Sequence, residues 1–302
     1  MPYDITIEQV LQNLNVKERI ALGEGGEGIV FALSKDKVVK IYKSVEPRYL
    51  QSVFDFQRSL VEFRFPFEVP LIYEIGNVSG TYYTIEKRLY GVTLDKIFGG
   101  LDEEDKYLIL NKYFEGLKAI HQVKLPRLPF GQILTSNDQV TGDSWQKFLR
   151  LKMEDKIGYS KQWLARDVTN FEQKVARYYE IIETELTCEE KQLVHGDYFQ
   201  GNVLVQNLGI SAVLDFSPHT VVGDYRMDIC GAITFLEIDP VFTPTHLDYL
   251  YTLAEQEYGK DIRKYIGYYR LYYSFLFANS YEFDKQLYAW CLENLNEESY
   301  WK

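Results

Sequence analysis

The sequence predicts an α+β chain in two unequal parts: a small lobe of antiparallel strands, then a larger, mainly helical lobe. Two observations carry this. Up to about Tyr90, short apolar runs are separated by Gly-rich and polar turns, the pattern of a meander. From Leu94 onward, apolar residues recur at helical spacing instead. The lobes are placed at 1–88 and 89–302.

Taken in order, Arg19 to Leu22, Ile29 to Leu33 and Val38 to Tyr42 read as the first three strands, with Ser34-Lys35-Asp36-Lys37 as the second turn. A helix is expected from about Pro47 to Phe63. Val69 to Tyr73 and Thr81 to Ile85 add two strands around the turn Asn77-Val78-Ser79-Gly80. In the second lobe, Tyr107 to His121 carries apolar residues at helix spacing, and Pro126 and Pro129 end that segment. Trp145 to Leu149 begins a further stretch, another helix is expected over Asp167 to Leu186, and the remainder reads mostly as helix, with a last one in Tyr281 to Trp301. There is no internal repeat and no low-complexity segment.

With 302 residues the chain can bury a sizeable core. Its 33 basic and 44 acidic residues give a net charge of −11, which argues against a nucleic-acid partner because phosphate contacts need clustered Lys and Arg. Such a charge favours cationic ligands, although much of it is expected on solvated surface. Met1-Pro2-Tyr3-Asp4-Ile5 lacks the charged and apolar regions of a secretory signal, and the longest apolar run, Ile229 to Leu236, is too short to span a bilayer. Cys188, Cys230 and Cys291 show neither metal spacing nor an even disulfide set. A cytoplasmic protein with no membrane association and no obligate protein partner is therefore expected. The 25 Tyr residues are assigned chiefly to packing, and their ring faces can also line a ligand pocket.

Polar residues punctuate two apolar runs near residue 200. Leu193-Val194-His195-Gly196-Asp197 is followed by Asn202 before Val203-Leu204-Val205, and Ala212-Val213-Leu214 leads into Asp215-Phe216. Transfer of a phosphoryl group from a nucleotide needs a carboxylate for the acceptor hydroxyl, plus an amide and a second carboxylate to hold Mg²⁺ against the phosphates. Upstream, Gly23-Glu24-Gly25-Gly26-Glu27-Gly28-Ile29-Val30 fits Gly-x-Gly-x-x-Gly-x-Val. Dinucleotide-binding folds use the same glycines, but they need a helix to open at the last one, whereas here a β-hairpin follows. Ile29 after Gly28 excludes a P-loop, which requires Lys there. Lys40 follows two valines on the third expected strand.

Together these residues resemble the aminoglycoside phosphotransferase and choline kinase branch of the protein-kinase-like superfamily, with Gly196 where a protein kinase carries Arg. The resemblance implies a bilobal protein-kinase-like fold. It implies Asp197 as the residue that orients or deprotonates the acceptor, Asn202 and Asp215 as metal ligands, and Gly23, Gly25, Gly28 and Lys40 as phosphate-binding groups. Lys40 should be oriented by a carboxylate on the following helix; Asp55 is the candidate, with Glu46 and Glu62 as rivals. Thr84 to Leu94 resembles the family's interlobe linker, so the adenine edge would be read by backbone groups near Glu86 and Arg88. His195 is expected to orient the loop backbone rather than to transfer protons. Val222-Gly223-Asp224-Tyr225-Arg226-Met227-Asp228 resembles the family's Gly-Asp-x-x-x-Asp segment, in which Asp228 steadies the catalytic loop.

Only eight residues separate Asp215 from Asp224, too few for the activation segment that docks a peptide, so a small-molecule acceptor is implied. The co-substrate would be ATP or GTP, with Mg²⁺. The leading acceptor class is an aminoglycoside antibiotic; choline, homoserine, a sugar or a macrolide are alternatives, as is a nucleotide-binding regulator without turnover. Substrate contacts are expected from the helical insertion and the C-terminal helices, which carry Glu154, Asp155, Glu237, Asp239, Glu282 and Asp284.

Overall fold

A computed structural model describes residues 5–134 and 136–301; Met1 to Asp4, on which part of the reading of the N-terminus rests, lie outside them. The chain divides into two compact units. One holds the described residues up to Gly91 together with those of 134–139 and 211–215; the other holds 92–133, 140–210 and the described residues from Phe216 onward.

The first unit is built on helix α1 (Ile5–Asn13), strands β1 (Ala21–Glu24), β2 (Gly28–Ala32) and β3 (Lys37–Tyr42), helix α2 (Pro47–Leu60), and strands β4 (Ile72–Val78) and β5 (Thr81–Lys87). The strands form one antiparallel sheet in the order β1-β2-β3-β5-β4. Alternation along β2, β3 and β5 divides the side chains between two faces. Ile29, Phe31, Val39, Ile41 and Tyr83 pack with Val10 and Leu11 of α1 into a closed core. Val38, Lys40 and Tyr42 fall on the other face. Helix α1 was not among the expected elements, although Ile7, Val10, Leu11 and Leu14 have the spacing of an apolar helix face. The fourth strand starts later than expected, because Pro70 lacks the N–H that a strand ladder needs.

The second unit opens with the short strand β6 (Val92–Thr93) and helices α3 (Leu94–Phe98) and α4 (Glu103–His121). Then come β7 (Phe130–Gln132), β8 (Thr141–Gly142), the long helix α5 (Trp145–Asp167), α6 (Phe171–Thr184) and β9 (Gln192–Val194). The single helix expected over Asp167 to Leu186 is in fact the end of α5 and the whole of α6. The chain breaks between them at Asn170, which is left-handed at φ 57°. Strand β10 (Val203–Gln206) pairs with β6 and turns through Asn207 and Leu208 into β11 (Gly209–Val213), whose residues from Ser211 on are counted with the first unit. Both turn residues have positive φ, 51° and 57°, as a two-residue type I′ hairpin requires. Strand β12 (Val221–Gly223) lies between β7 and β9 in a small antiparallel sheet, order β8-β7-β12-β9. Helices α7 (Arg226–Thr234), α8 (Pro244–Tyr258), α9 (Ile262–Leu276) and α10 (Lys285–Asn296) complete the unit.

The tyrosines do largely structural work here. Tyr113, Tyr178, Tyr198, Tyr269, Tyr272 and Tyr273 are all buried. One largely buried ion pair also ties the helices together: Arg270 on α9 meets both oxygens of Glu237 at 2.6 Å, with Asn294, Tyr251 and Trp290 adding hydrogen bonds to the pair. No described helix is long and apolar enough to cross a membrane.

Candidate functional site

In the second unit, β9 ends at Val194 and delivers His195-Gly196-Asp197 into a loop that is held at almost every backbone group. The buried Asp228, in the first turn of α7, accepts from the amides of His195 (2.6 Å) and Gly196 (2.7 Å). The hydroxyl of Thr220 donates to the His195 carbonyl at 3.1 Å, and that of Tyr273 to the Gly196 carbonyl at 3.3 Å. Tyr113 on α4 donates to the carbonyl of Tyr198, while the Tyr198 hydroxyl donates back to that of Tyr113. A carboxylate that accepts two backbone N–H groups fixes the path of the peptide between them. The clamping role expected of Asp228 is therefore visible in its geometry.

The rest of the loop follows from these anchors. His195 is fully buried, packs at a tilt against the Phe216 ring at 4.7 Å and accepts the Asp197 amide on Nδ1 at 3.3 Å, so its ring orients the loop. Asn202 donates from its amide nitrogen to the carbonyl (3.0 Å) and to the side chain (3.1 Å) of Asp197, which brings the two residues side by side. Gly196 is obligatory: its φ is +78°, and an added Cβ would lie 2.0 Å from the carbonyl oxygen of His219. Gly196→Ala is expected to cost at least about 1–2 kcal/mol from the left-handed backbone alone. Urea unfolding of the variant checks this, and unchanged stability would refute it.

In the first unit, β1 and β2 form the glycine hairpin, closed by the Gly25 amide donating to the Gly28 carbonyl at 3.0 Å. Gly28 is needed by the fold, since a Cβ there would meet the Ile41 carbonyl oxygen at 2.3 Å. Gly23 and Gly25 are not: neither has positive φ, and a Cβ would find nothing within 4 Å. The structure leaves space at these two glycines that the fold itself does not use.

Lys40 is half-buried on the sheet face opposite α1. Its ammonium meets Glu27 of the glycine hairpin at 2.6 Å and lies over the Tyr42 ring. Burial works to depress its pKa, but Tyr42, Glu27 and Glu86 more than reverse that and hold it above the ordinary lysine range. Glu86 is pushed the other way by its own burial, which raises its carboxyl above the usual range against the pull of Lys40 and of the Thr84 hydroxyl.

One expectation for this unit is corrected. Asp55 does not pair with Lys40: it lies on the exposed side of α2 and accepts from Gln51 one turn before it. The rivals fare no better, Glu46 accepting from Asn137 and Glu62 standing exposed beyond the end of α2. The α2 periodicity explains this, because Leu50, Val53, Phe56, Gln57 and Leu60 take the buried positions. The partner is Glu27, which the sequence reading did not single out. The Arg88 amide, in the segment expected to read the adenine edge, donates to the Asp36 carbonyl at 3.0 Å.

Asp215 belongs to the first unit. Residues 211–213 run beside Glu68, whose amide donates to the Ser211 carbonyl and whose carbonyl accepts from the Val213 amide, at 2.9 and 3.0 Å. This places Asp215 two residues beyond a fixed segment, exposed and left-handed at φ 60°. Asp is among the few side-chain residues that adopt this conformation readily.

The six acidic residues expected toward the acceptor each have an internal partner. Glu154 meets Arg150, Asp155 meets Lys156, Glu237 meets Arg270, Asp239 accepts the Val241 amide, Glu282 accepts the Tyr159 hydroxyl, and Asp284 caps α10. Close to Glu282 an aromatic cluster emerges on α5 and the segment before α10: Tyr159, Trp163 and Tyr281, with Trp163 stacked on Tyr281 at 4.9 Å.

A family model described as the phosphotransferase enzyme family matches residues 19–258. Comparison with curated protein sequences gives no match. Among solved structures, the gentamicin complex of APH(2")-IIa is similar at 18% identity and a TM-score of 0.66, covering 98% of this chain and 97% of that one. The GDP complex of wild-type aminoglycoside 2'-phosphotransferase-IIIa follows at 14% identity and 0.60, covering 98% of each. The macrolide 2'-phosphotransferase MphH from Brachybacterium faecium is similar at 14% and 0.55, covering 92% of each. Identities this low show a shared fold.

Proposed function

Since the chain belongs to the phosphotransferase enzyme family, whose members phosphorylate a hydroxyl group, we propose that it moves the γ-phosphate of ATP or GTP to a small molecule, with an aminoglycoside as the leading acceptor class. The observation that carries the reading is the pairing of Asp197 with Asn202 on a loop clamped by the buried Asp228. A carboxylate held so firmly is suited to orient an acceptor hydroxyl and take its proton. Residues 1–88 are assigned as the nucleotide-binding lobe and 89–302 as the catalytic and substrate-binding lobe.

Lys40 is assigned to the nucleotide phosphates, and Gly23, Gly25 and Gly28 to the backbone turn that covers them. The unused space at Gly23 and Gly25 supports this, because it allows a phosphate to approach the peptide closely. Asn202 and Asp215 are assigned as the residues that would hold Mg²⁺, which would supply positive charge to offset that developing on the transferred phosphoryl group. The residues fit. Both hydrogen bonds of Asn202 use its amide nitrogen, leaving the carbonyl oxygen, the atom that a hard cation takes. Among the described residues no group of three His, Cys, Asp or Glu could hold a metal, and Mg²⁺ is usually bound through one or two carboxylates together with substrate phosphates. Asp215→Ala is expected to remove the metal-dependent part of nucleotide binding. Calorimetric titration with and without Mg²⁺ checks this, and an unchanged metal effect counts against the assignment.

The acceptor is tested by a panel of aminoglycosides, macrolides, choline, homoserine and sugars with coupled detection of ADP or GDP. If the acceptor is a polycation met by carboxylates, its apparent affinity weakens between low and physiological ionic strength, while a neutral acceptor shows little change. A panel in which only uncharged alcohols or macrolides turn over would remove the aminoglycoside reading.

A further inference from the structure

In the kinase pattern the phosphate-binding lysine is oriented by a carboxylate on the helix after it. Here α2 offers none, since Asp55, Glu46 and Glu62 are all engaged or directed elsewhere. What α2 offers instead is Tyr49, whose hydroxyl donates to Glu27 Oε1 at 3.4 Å. The other oxygen, Oε2, takes the Lys40 ammonium at 2.6 Å. The Glu27 carbonyl accepts the amide of Lys43 at 2.9 Å, so its backbone is fixed to the end of β3. Glu27 is thus gripped by a hydroxyl from α2, an ammonium from β3 and an amide just beyond β3. A lysine ammonium has three donors. One directed at Glu27 sets where the other two point.

We propose that Glu27, carried by the glycine hairpin, is the carboxylate that positions Lys40 for the nucleotide phosphates, with Tyr49 of α2 as its anchor. The proposal rests on the reading of Lys40 as a phosphate ligand. It makes the folding of the hairpin and the aiming of the lysine one event, because the turn that carries Gly25 also carries the aiming group. A kinase in which the helix supplies the carboxylate keeps these two functions on separate elements.

Two measurements test it. The first needs no nucleotide: acylation of the Lys40 amine in the full-length protein is followed against pH by peptide mass spectrometry. Because Glu27 helps to hold the ammonium charged, Glu27→Gln should bring on labelling at lower pH than in the wild type. The second is nucleotide affinity. Glu27→Gln is expected to weaken binding by about tenfold, the scale of losing one hydrogen bond to a charged group, and Tyr49→Phe by less. Added to Lys40→Ala, Glu27→Gln should bring no further loss. An unshifted labelling profile overturns the proposal. So does tighter nucleotide binding by Glu27→Gln while Lys40→Ala binds weakly, because Glu27 would then compete with phosphate for the lysine. If Lys40→Ala binds nucleotide like the wild type, the phosphate role of Lys40 fails as well, which separates that failure from one confined to Glu27.

Discussion

Replacing Asp197 with alanine lowers turnover by roughly 10²–10⁴, the range for a positioned acid or base, and leaves nucleotide affinity near the wild-type value. The two halves of this result have separate physical grounds. The loop does not depend on the Asp197 carboxylate for its path, because Asp228, Thr220, Tyr273 and Tyr113 hold its backbone on either side. Phosphate contacts are assigned to Lys40 and the glycine hairpin, which belong to the first unit. Steady-state kinetics with a competent acceptor, alongside direct nucleotide titration, reads both quantities. Turnover within a few-fold of wild type would remove Asp197 from the catalytic role. A collapse of nucleotide affinity would instead show that the variant disturbs the loop rather than the chemistry.

Arg270→Ala is expected to destabilise the protein by about 3–5 kcal/mol, the cost of leaving one member of a buried ion pair without its partner. Arg270 is 7% exposed and Glu237 23%, so the carboxylate left behind is only partly open to water. The informative comparison is the double variant Arg270→Met with Glu237→Leu. Replacing both charges with apolar groups of similar size is often close to neutral, since the desolvation of both ions is then avoided. Urea denaturation of both variants decides the matter. If the single substitution costs less than about 1 kcal/mol, the pair behaves like a solvated surface bridge.

The candidate site was legible in the sequence where its residues sit at fixed distances along the chain. Asp197 and Asn202 are read from their spacing, and the structure brings them within 3.1 Å. Asp228 is legible for the same reason, since the turn before α7 returns it to the loop. The partner of Lys40 was not legible. Which face of α2 meets the sheet depends on packing, and nothing local distinguishes Asp55 from a solvated carboxylate. Glu27 lies thirteen residues before Lys40 and reaches it only because β2 and β3 pair with Tyr42 opposite Gly28. The missed helix α1 is a different case: Ile7, Val10, Leu11 and Leu14 carried its periodicity. The acidic residues of the helical lobe mark the opposite limit, since charge on a helix does not reveal whether its partner is a ligand or a neighbouring arginine.

The division of the chain has a consequence for modularity. The first unit is not one stretch of sequence, because the chain passes from one unit to the other after Gly91, Ile133, Gln139, Ile210 and Asp215. A fragment ending at Gly91 would lack the segment that bridges Glu68, and with it Asp215. Exchanging lobes with a relative therefore cannot be done at a single splice point. A chimera that takes only the N-terminal segment would inherit one parent's Lys40 and the other parent's Asp215, and so would build the first unit from two sources.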